Sequence, residues 1–354
     1  MNLKELKKKY TDLDTQTDQA GIPINCFLFH LDETFSQSGE RLLTDYLKSF
    51  SNVTKWIISS DYVIGAQKKP NDTVVFSVIP YISDLDDIKS TIDRMAPADI
   101  KKTREVGGRF LDFLCNGPIF NICIKLDKNR KLHHDERAYH DAKIKATIAQ
   151  LELWCTNTPE EKSTYVKSIK QFKAAQKLIN SAGVNFKMFR DIEVISTLAA
   201  YIMAKTTSLH TTEVIGWFSD RDAMLNFKSD KIGNYLFTCT EHLHHTLTLN
   251  TGNEYHGKLI FGIPEKEGEM WYDSLIRIPD LLAGTLADYD YKENKLTHEK
   301  YIPIVEQLFT AEKRNIFFRV DFTPFPESAR LTWHTQSDIS KNLKHSRKTL
   351  NPFK

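Results

Sequence analysis

The chain has 354 residues, 41% hydrophobic and 27% charged, with a formal net charge of +2. Such a composition supports a packed core and excludes general disorder. The near balance of charge excludes a global field for nucleic acid, so a partner of that kind must meet a local patch. Cys26, Cys115, Cys123, Cys155 and Cys239 are scattered and form no CxxC pair. This argues for a reducing compartment, the cytoplasm, and against a disulfide frame or a cysteine-rich zinc site. No apolar run approaches the roughly eighteen residues of a membrane span, and MNLKELKKKYTDLD has no apolar core behind its basic residues, so no signal peptide or membrane partner is expected.

Residues 1–20 are polar and read as a short helix or arm. Ile22 to Leu31 (IPINCFLFHL) reads as a strand ending in Asp32 and Glu33. Glu40 to Phe50 has helical spacing. Lys55 to Ile64 and Thr73 to Tyr81 form a hairpin around the turn-rich Gln67–Asp72. Ser83 to Met95 and Pro97 to Leu114 read as helices, Ile119 to Leu126 as a third strand, and Glu136 to Trp154 as an amphipathic helix. At Thr158-Pro159-Glu160-Glu161 the spacing predicts a capped helix start. Another helix spans Phe189 to Lys205. Glu213 to Phe218 is a strand without polar alternation, hence buried on both faces. Tyr235 to Leu249 is open between strand and helix, Lys258 to Ile263 is a strand, and a helix begins near Pro279. Glu299 to Phe309 is helical, Asn315 to Thr323 and Ala329 to His334 pair as strands, and Lys341 to Lys354 is a basic tail. Strands interleaved with long helical crossovers indicate α/β with a mixed sheet.

Three acids occupy similar places. Asp61 lies in the first hairpin strand, Asp220 at the exit of the strand before it, and Asp280 in IRIPDLLAGTLAD, where Asp280, Gly284 and Ala287 share a helix face. The plainer readings are a polar turn at Asp220 and, at Asp280, an acid favoured by a helix N-terminus. If the acids converge, repulsion and burial both oppose their ionisation, and a divalent cation relieves both. Mg²⁺ or Mn²⁺ fits oxygen ligands and retains room for water and phosphate, and a pair of such ions suits phosphoryl displacement.

ISSDYVIG (58–65), GWFSDRD (216–222) and LIRIPDLLAG (275–284) resemble, in this order, the motifs of the bacterial domain-of-unknown-function family 3800, which has an RNase H-like fold. Two departures stand out: Asp61 is followed by Tyr62 where the family has an acid and serine, and Pro279 replaces a small residue. The resemblance implies an RNase H-like core at 55–295 with a helical insert at 128–208, an N-terminal extension at 1–54, and a C-terminal extension at 296–354. It further implies a metal-dependent nuclease acting on nucleic acid, with Asp61, Asp220 and Asp280 as metal ligands and catalytic residues. The alternative is a module that keeps the fold and binds a partner without catalysis.

Asp32 and Glu33 rival Asp61 as the first ligand. Cys239, His242, His244 and His245 match no common zinc spacing and read as core or surface residues. His133, His134 and His140 read as solvated. Asp222 is open between a ligand and a partner of Arg221, and Asp273, Asp288 and Asp290 read as surface acids. Lys101, Lys102 and Arg104 read as a solvated helix face able to meet phosphate. Walker, GxGxxG, GxSxG and HExxH motifs are lacking.

Overall fold

A computed structural model describes residues 20–97, 99–100, 102–250, 257–265, 267–311, 314–322 and 328–331. Its centre is a mixed sheet in the order β5-β4-β1-β2-β3-β6-β7. The strands are β1 (Lys55–Val63), β2 (Asp72–Pro80), β3 (Phe120–Leu126), β4 (Val214–Ser219), β5 (Lys258–Gly262), β6 (Asn315–Asp321) and β7 (Ser328–Leu331). β1, β2 and β3 form an antiparallel meander; β4 joins β1 in parallel and β5 joins β4 in parallel. β6 runs parallel to β3 and carries β7 as an antiparallel edge. This α/β arrangement, with helices on both faces and a helical insertion between β3 and β4, is consistent with an RNase H-like fold.

Strand alternation divides the core. Trp56, Ile58 and Tyr62 of β1 join one cluster, and Ile57 joins the other. The first cluster lies under α1 (Cys26–Gln37), α2 (Gly39–Lys48), the inserted helices α5 (Glu136–Asn157), α6 (Lys162–Ile179) and α7 (Phe186–Leu209), and α8 (Tyr235–Asn250). On the opposite face pack α3 (Leu85–Met95), α4 (Gly108–Asn116), α9 (Asp273–Asp288) and the segment 299–309. No helix among the described residues is long and apolar enough to cross a membrane.

Several expectations need correction. Ile22 to Leu31 is not a strand: α1 begins at Cys26 and buries Phe27, Leu28, Phe29, Leu31 and Phe35. A helix so widely buried has an apolar run that period alone does not separate from a strand. Tyr235 to Leu249 resolves as helix. Of the described residues between Pro97 and Leu114, only those from Gly108 are helical. Thr158 makes no side-chain cap; a 3₁₀ turn, Pro159–Glu161, leads into α6 instead. The last helix starts at Asp273, not near Pro279, and holds that proline in its interior. Leu275, Ile276 and Ile278 are buried in the second core cluster, and that packing outweighs the roughly 3 kcal/mol that an internal proline costs. Residues 1–19 and the basic tail at 341–354 lie outside the described residues.

His140, expected in solvent, is 4% exposed, as is His242, and His244 is 2% exposed. Burial holds all three neutral: His140 is pushed down to about 3, aided by Lys143 and Arg190, while His242 falls to about 4 and His244 to about 3, each aided by His245. The unfolded chain protonates such groups near 6.5 while the native state does not, so stability is lost as pH falls below that value. Each histidine is expected to cost about 2 kcal/mol between pH 7 and pH 5. Buried acids raised by the fold, such as Asp191 and Asp222, act in the opposite direction. Urea unfolding of the wild type and of His242→Gln at the two pH values isolates one histidine; equal pH dependence would contradict its neutral burial.

Candidate active site

β1 and β4 run side by side to their C-terminal ends, with Ser60 opposite Ser219. The ladder continues one bond further, as the Asp220 amide donates to the Ser60 carbonyl at 2.8 Å. Asp61 is therefore delivered next to Asp220. Both belong to the face that carries Ile57 and Phe218, the face covered by α9. That helix lies close: Thr73 Oγ1 donates to the Ala283 carbonyl at 3.0 Å, and Asn71 Nδ2 donates to the carbonyls of Leu286 at 2.8 Å and Tyr289 at 2.6 Å. Gly284 permits the tight fit on its other side, since a Cβ there would meet the Tyr301 hydroxyl at 3.0 Å. Asp280 sits one turn before Gly284. Being mid-helix, it is not explained by a helix N-terminus.

The three acids feel one another. Asp61 is 4% exposed, and its carboxyl is held well above the usual carboxylate range. Burial is the main cause, followed by the charges of Asp280 and Asp220 and a side-chain hydrogen bond to Asp220; the Tyr62 amide opposes the shift. Asp61 thus favours its protonated form, with Asp220 and Asp280 supplying the negative environment. Asp222 and Asp273 also sense the Asp220 charge, and burial raises both. Asp222 accepts from the Met224 amide at 2.9 Å, while Arg221 donates to the Gly268 carbonyl at 2.6 Å, so Arg221 is engaged elsewhere.

The back of the site is a closed polar network. Tyr62 Oη lies 2.6 Å from Ser60 Oγ and 2.9 Å from Ser219 Oγ, and Trp217 Nε1 donates to Ser60 Oγ at 2.9 Å. From the other side, the Tyr272 hydroxyl lies 3.0 Å from the carbonyls of Ser219 and Gly262. These bonds fix the strand ends that carry the acids.

Comparison with known protein families, curated proteins and solved structures finds no match to this chain. The case therefore rests on the geometry. Among the described residues no three Asp, Glu, His or Cys side chains already stand at metal-ligand spacing. What stands there is a pair of neighbouring acids, Asp61 and Asp220, with Asp280 in electrostatic range of Asp61. Two carboxylates so close cannot both ionise without a cation in place of the proton.

The rival acids are elsewhere. Asp32 lies on α1, accepts from Tyr201 Oη at 2.8 Å and pairs with Lys205 at 2.9 Å, on the opposite side of the sheet. Asp288, expected at the surface, is 1% exposed. It takes Lys69 at 2.6 Å and the Thr297 amide and hydroxyl at 2.8 and 2.5 Å, joining the β1–β2 turn to the chain after α9. Cys239 and His242 line a cavity of about 30 Å³ between the helices of the first core face, with His140, Lys143 and Glu193. They are core residues, and no metal cluster forms from them among the described residues. Lys300 is missed by sequence reasoning; nothing in Glu299-Lys300-Tyr301 marks a lysine that is 7% exposed and acts on Asp280.

Proposed function

We propose that this chain is a metal-dependent phosphodiesterase acting on nucleic acid in the cytoplasm, with Asp61, Asp220 and Asp280 holding Mg²⁺ or Mn²⁺. The observation that carries the reading is the delivery of Asp61 and Asp220 side by side near the C-terminal ends of adjacent parallel strands, close enough to Asp280 that each charge acts on the buried Asp61. Strand ends of this kind are the usual place for chemistry in α/β sheets. All five cysteines are free, in keeping with a reducing compartment.

In this reading the carboxyl of Asp61 would be one of the groups that hold the cation. Asp220 is held in place by its own amide bond to β1. Asp280 closes the site from the helix side, where the Tyr301 ring and Gly284 keep α9 in place. A bound divalent cation supplies charge neutralisation and polarises phosphoryl oxygen and water, so no side-chain base beyond these acids is required.

A second reading keeps the fold without catalysis. It draws on the same pair: a protonated Asp61 hydrogen-bonded to Asp220, with the charges of Lys300 and Asp280 acting on each other, satisfies the acids without a metal. Titration calorimetry with Mn²⁺ separates the two, alongside cleavage assays on plasmid, single-stranded DNA and RNA with and without EDTA. The expected result is Mn²⁺ binding with proton release and cleavage abolished by EDTA. Absence of Mn²⁺ binding, or cleavage indifferent to EDTA, would leave the second reading standing.

A further inference from the structure

Resting on the reading above, we propose that the turn carrying Lys102 and Arg104 is the edge on which the substrate's phosphodiester chain lies, and that Lys300 is the positioning residue that sets this turn beside Asp280. The sequence places these cations on a helix; the structure places them on a turn between α3 and α4, where both are exposed. The turn closes on itself through Asp99, whose backbone carbonyl accepts from Thr103 Oγ1 at 2.9 Å and whose carboxylate pairs with Lys102 at 3.1 Å.

Lys300 attaches this turn to the site. Its ammonium donates to the carbonyls of Ile100 at 2.5 Å and Thr103 at 3.2 Å. Among neighbouring charges, Asp280 exerts the largest pull on it. The amine also lies 5.2 Å from the Tyr301 ring centre, and that tyrosine packs its hydroxyl against α9 at Gly284. One buried cation thus ties the backbone of the basic turn to Tyr301, whose hydroxyl packs on the catalytic helix one turn from Asp280. Arg277, three residues before Asp280, pairs with Asp93 at 2.7 Å and reaches the Ala96 carbonyl at 3.5 Å, holding the preceding segment along the same helix.

A phosphodiester bound by acids through a cation carries its neighbouring phosphates outward from the site. Exposed lysine and arginine on the turn that Lys300 ties down meet those phosphates; such contacts position the strand and release counterions without reading its sequence. Lys102 and Arg104 have the required charge and exposure, and the acids themselves would repel the strand without them.

The test is fluorescence anisotropy of a labelled single-stranded DNA oligonucleotide with the full chain, in EDTA, across a salt series. Lys102→Gln/Arg104→Gln is expected to weaken binding about tenfold or more and to flatten the salt slope by about 1.4. Mn²⁺ affinity should be unchanged in that variant. Lys300→Met should produce a similar loss, and adding it to the double variant should change little further, because the three act as one unit. Wild-type binding with an unaltered slope in the double variant overturns the proposal while the nuclease reading stands. Full oligonucleotide affinity in Lys300→Met removes the positioning role. Mn²⁺ binding without oligonucleotide binding in the wild type overturns both the edge and the nucleic-acid substrate, and loss of both kinds of binding overturns the parent reading.

Discussion

Asp220→Asn is expected to reduce metal-dependent cleavage by about 10³-fold or more, and Asp280→Asn to do the same, because each removes charge that the proposed phosphoryl-transfer site needs. Asp61→Asn should be equally inactive, yet its effect on stability should differ. Asp61 is a buried acid that two other acids repel, and the fold keeps it protonated above its ordinary range. An amide in its place retains a hydrogen bond to Asp220 and cannot ionise. Without metal, Asp61→Asn should therefore unfold at a higher temperature than the wild type. With excess Mn²⁺ the order should reverse, since a ligand at a hundred times its Kd adds about 2.7 kcal/mol to the protein that binds it and nothing to the one that does not. Thermal unfolding of wild type and variant, with EDTA and with Mn²⁺, reads both effects. A variant destabilised under both conditions would mean that Asp61 is a structural acid. A variant stabilised under both would mean that Asp61 keeps its proton and takes no metal.

Much of this site is legible in the sequence because it depends on strand ends. The apolar runs at 57–58 and 214–218 identify buried strands, and an acid placed where such a run stops must face whatever covers the sheet there. That reasoning reaches Asp61 and Asp220. For Asp280 the face shared with Gly284 is legible, while the helix start is not. Pro279 suggests an N-terminus by its missing N–H, and only the apolar side chains before it, packed in three dimensions, extend the helix backwards. The misreading of Cys26–Gln37 has a related cause: a helix pressed into a deep core loses the polar stripe by which helices are recognised. Lys300, Asp288 and His140 carry no local mark at all. Their roles come from partners distant in sequence, such as Ile100 for Lys300 and Lys69 for Asp288, and such pairings are properties of the fold.

Arg130→Met is expected to cost about 3–5 kcal/mol of stability, the usual result when one partner of a buried ionic group is removed. Arg130 is 1% exposed. Its guanidinium reaches Asp72 at 2.7 Å, Asp191 through two nitrogens at 2.8 and 2.9 Å, and the Asp127 carbonyl at 2.7 Å. A lysine has one ammonium for these three acceptors and cannot reproduce the fork, so Arg130→Lys should recover only part of the loss. The argument is about uncompensated charge. Removing the guanidinium strands two buried carboxylates, whereas replacing all three groups by neutral ones strands none. Arg130→Met/Asp72→Asn/Asp191→Asn should therefore be more stable than Arg130→Met alone, although it carries more changes. Guanidinium chloride unfolding of the three proteins decides this; a triple variant weaker than the single one would show that packing, not charge, dominates. The placement explains why the group bears on function. Asp72 opens β2 directly after the turn from β1, Asp191 lies on α7 of the insertion, and Asp191 acts electrostatically on Asp222 beside Asp220. Arg130 thereby fastens the inserted helices to the hairpin that presents Asp61. Mn²⁺ affinity measured well below the lowered unfolding temperature should weaken in Arg130→Met, while that of the triple variant should lie nearer the wild type.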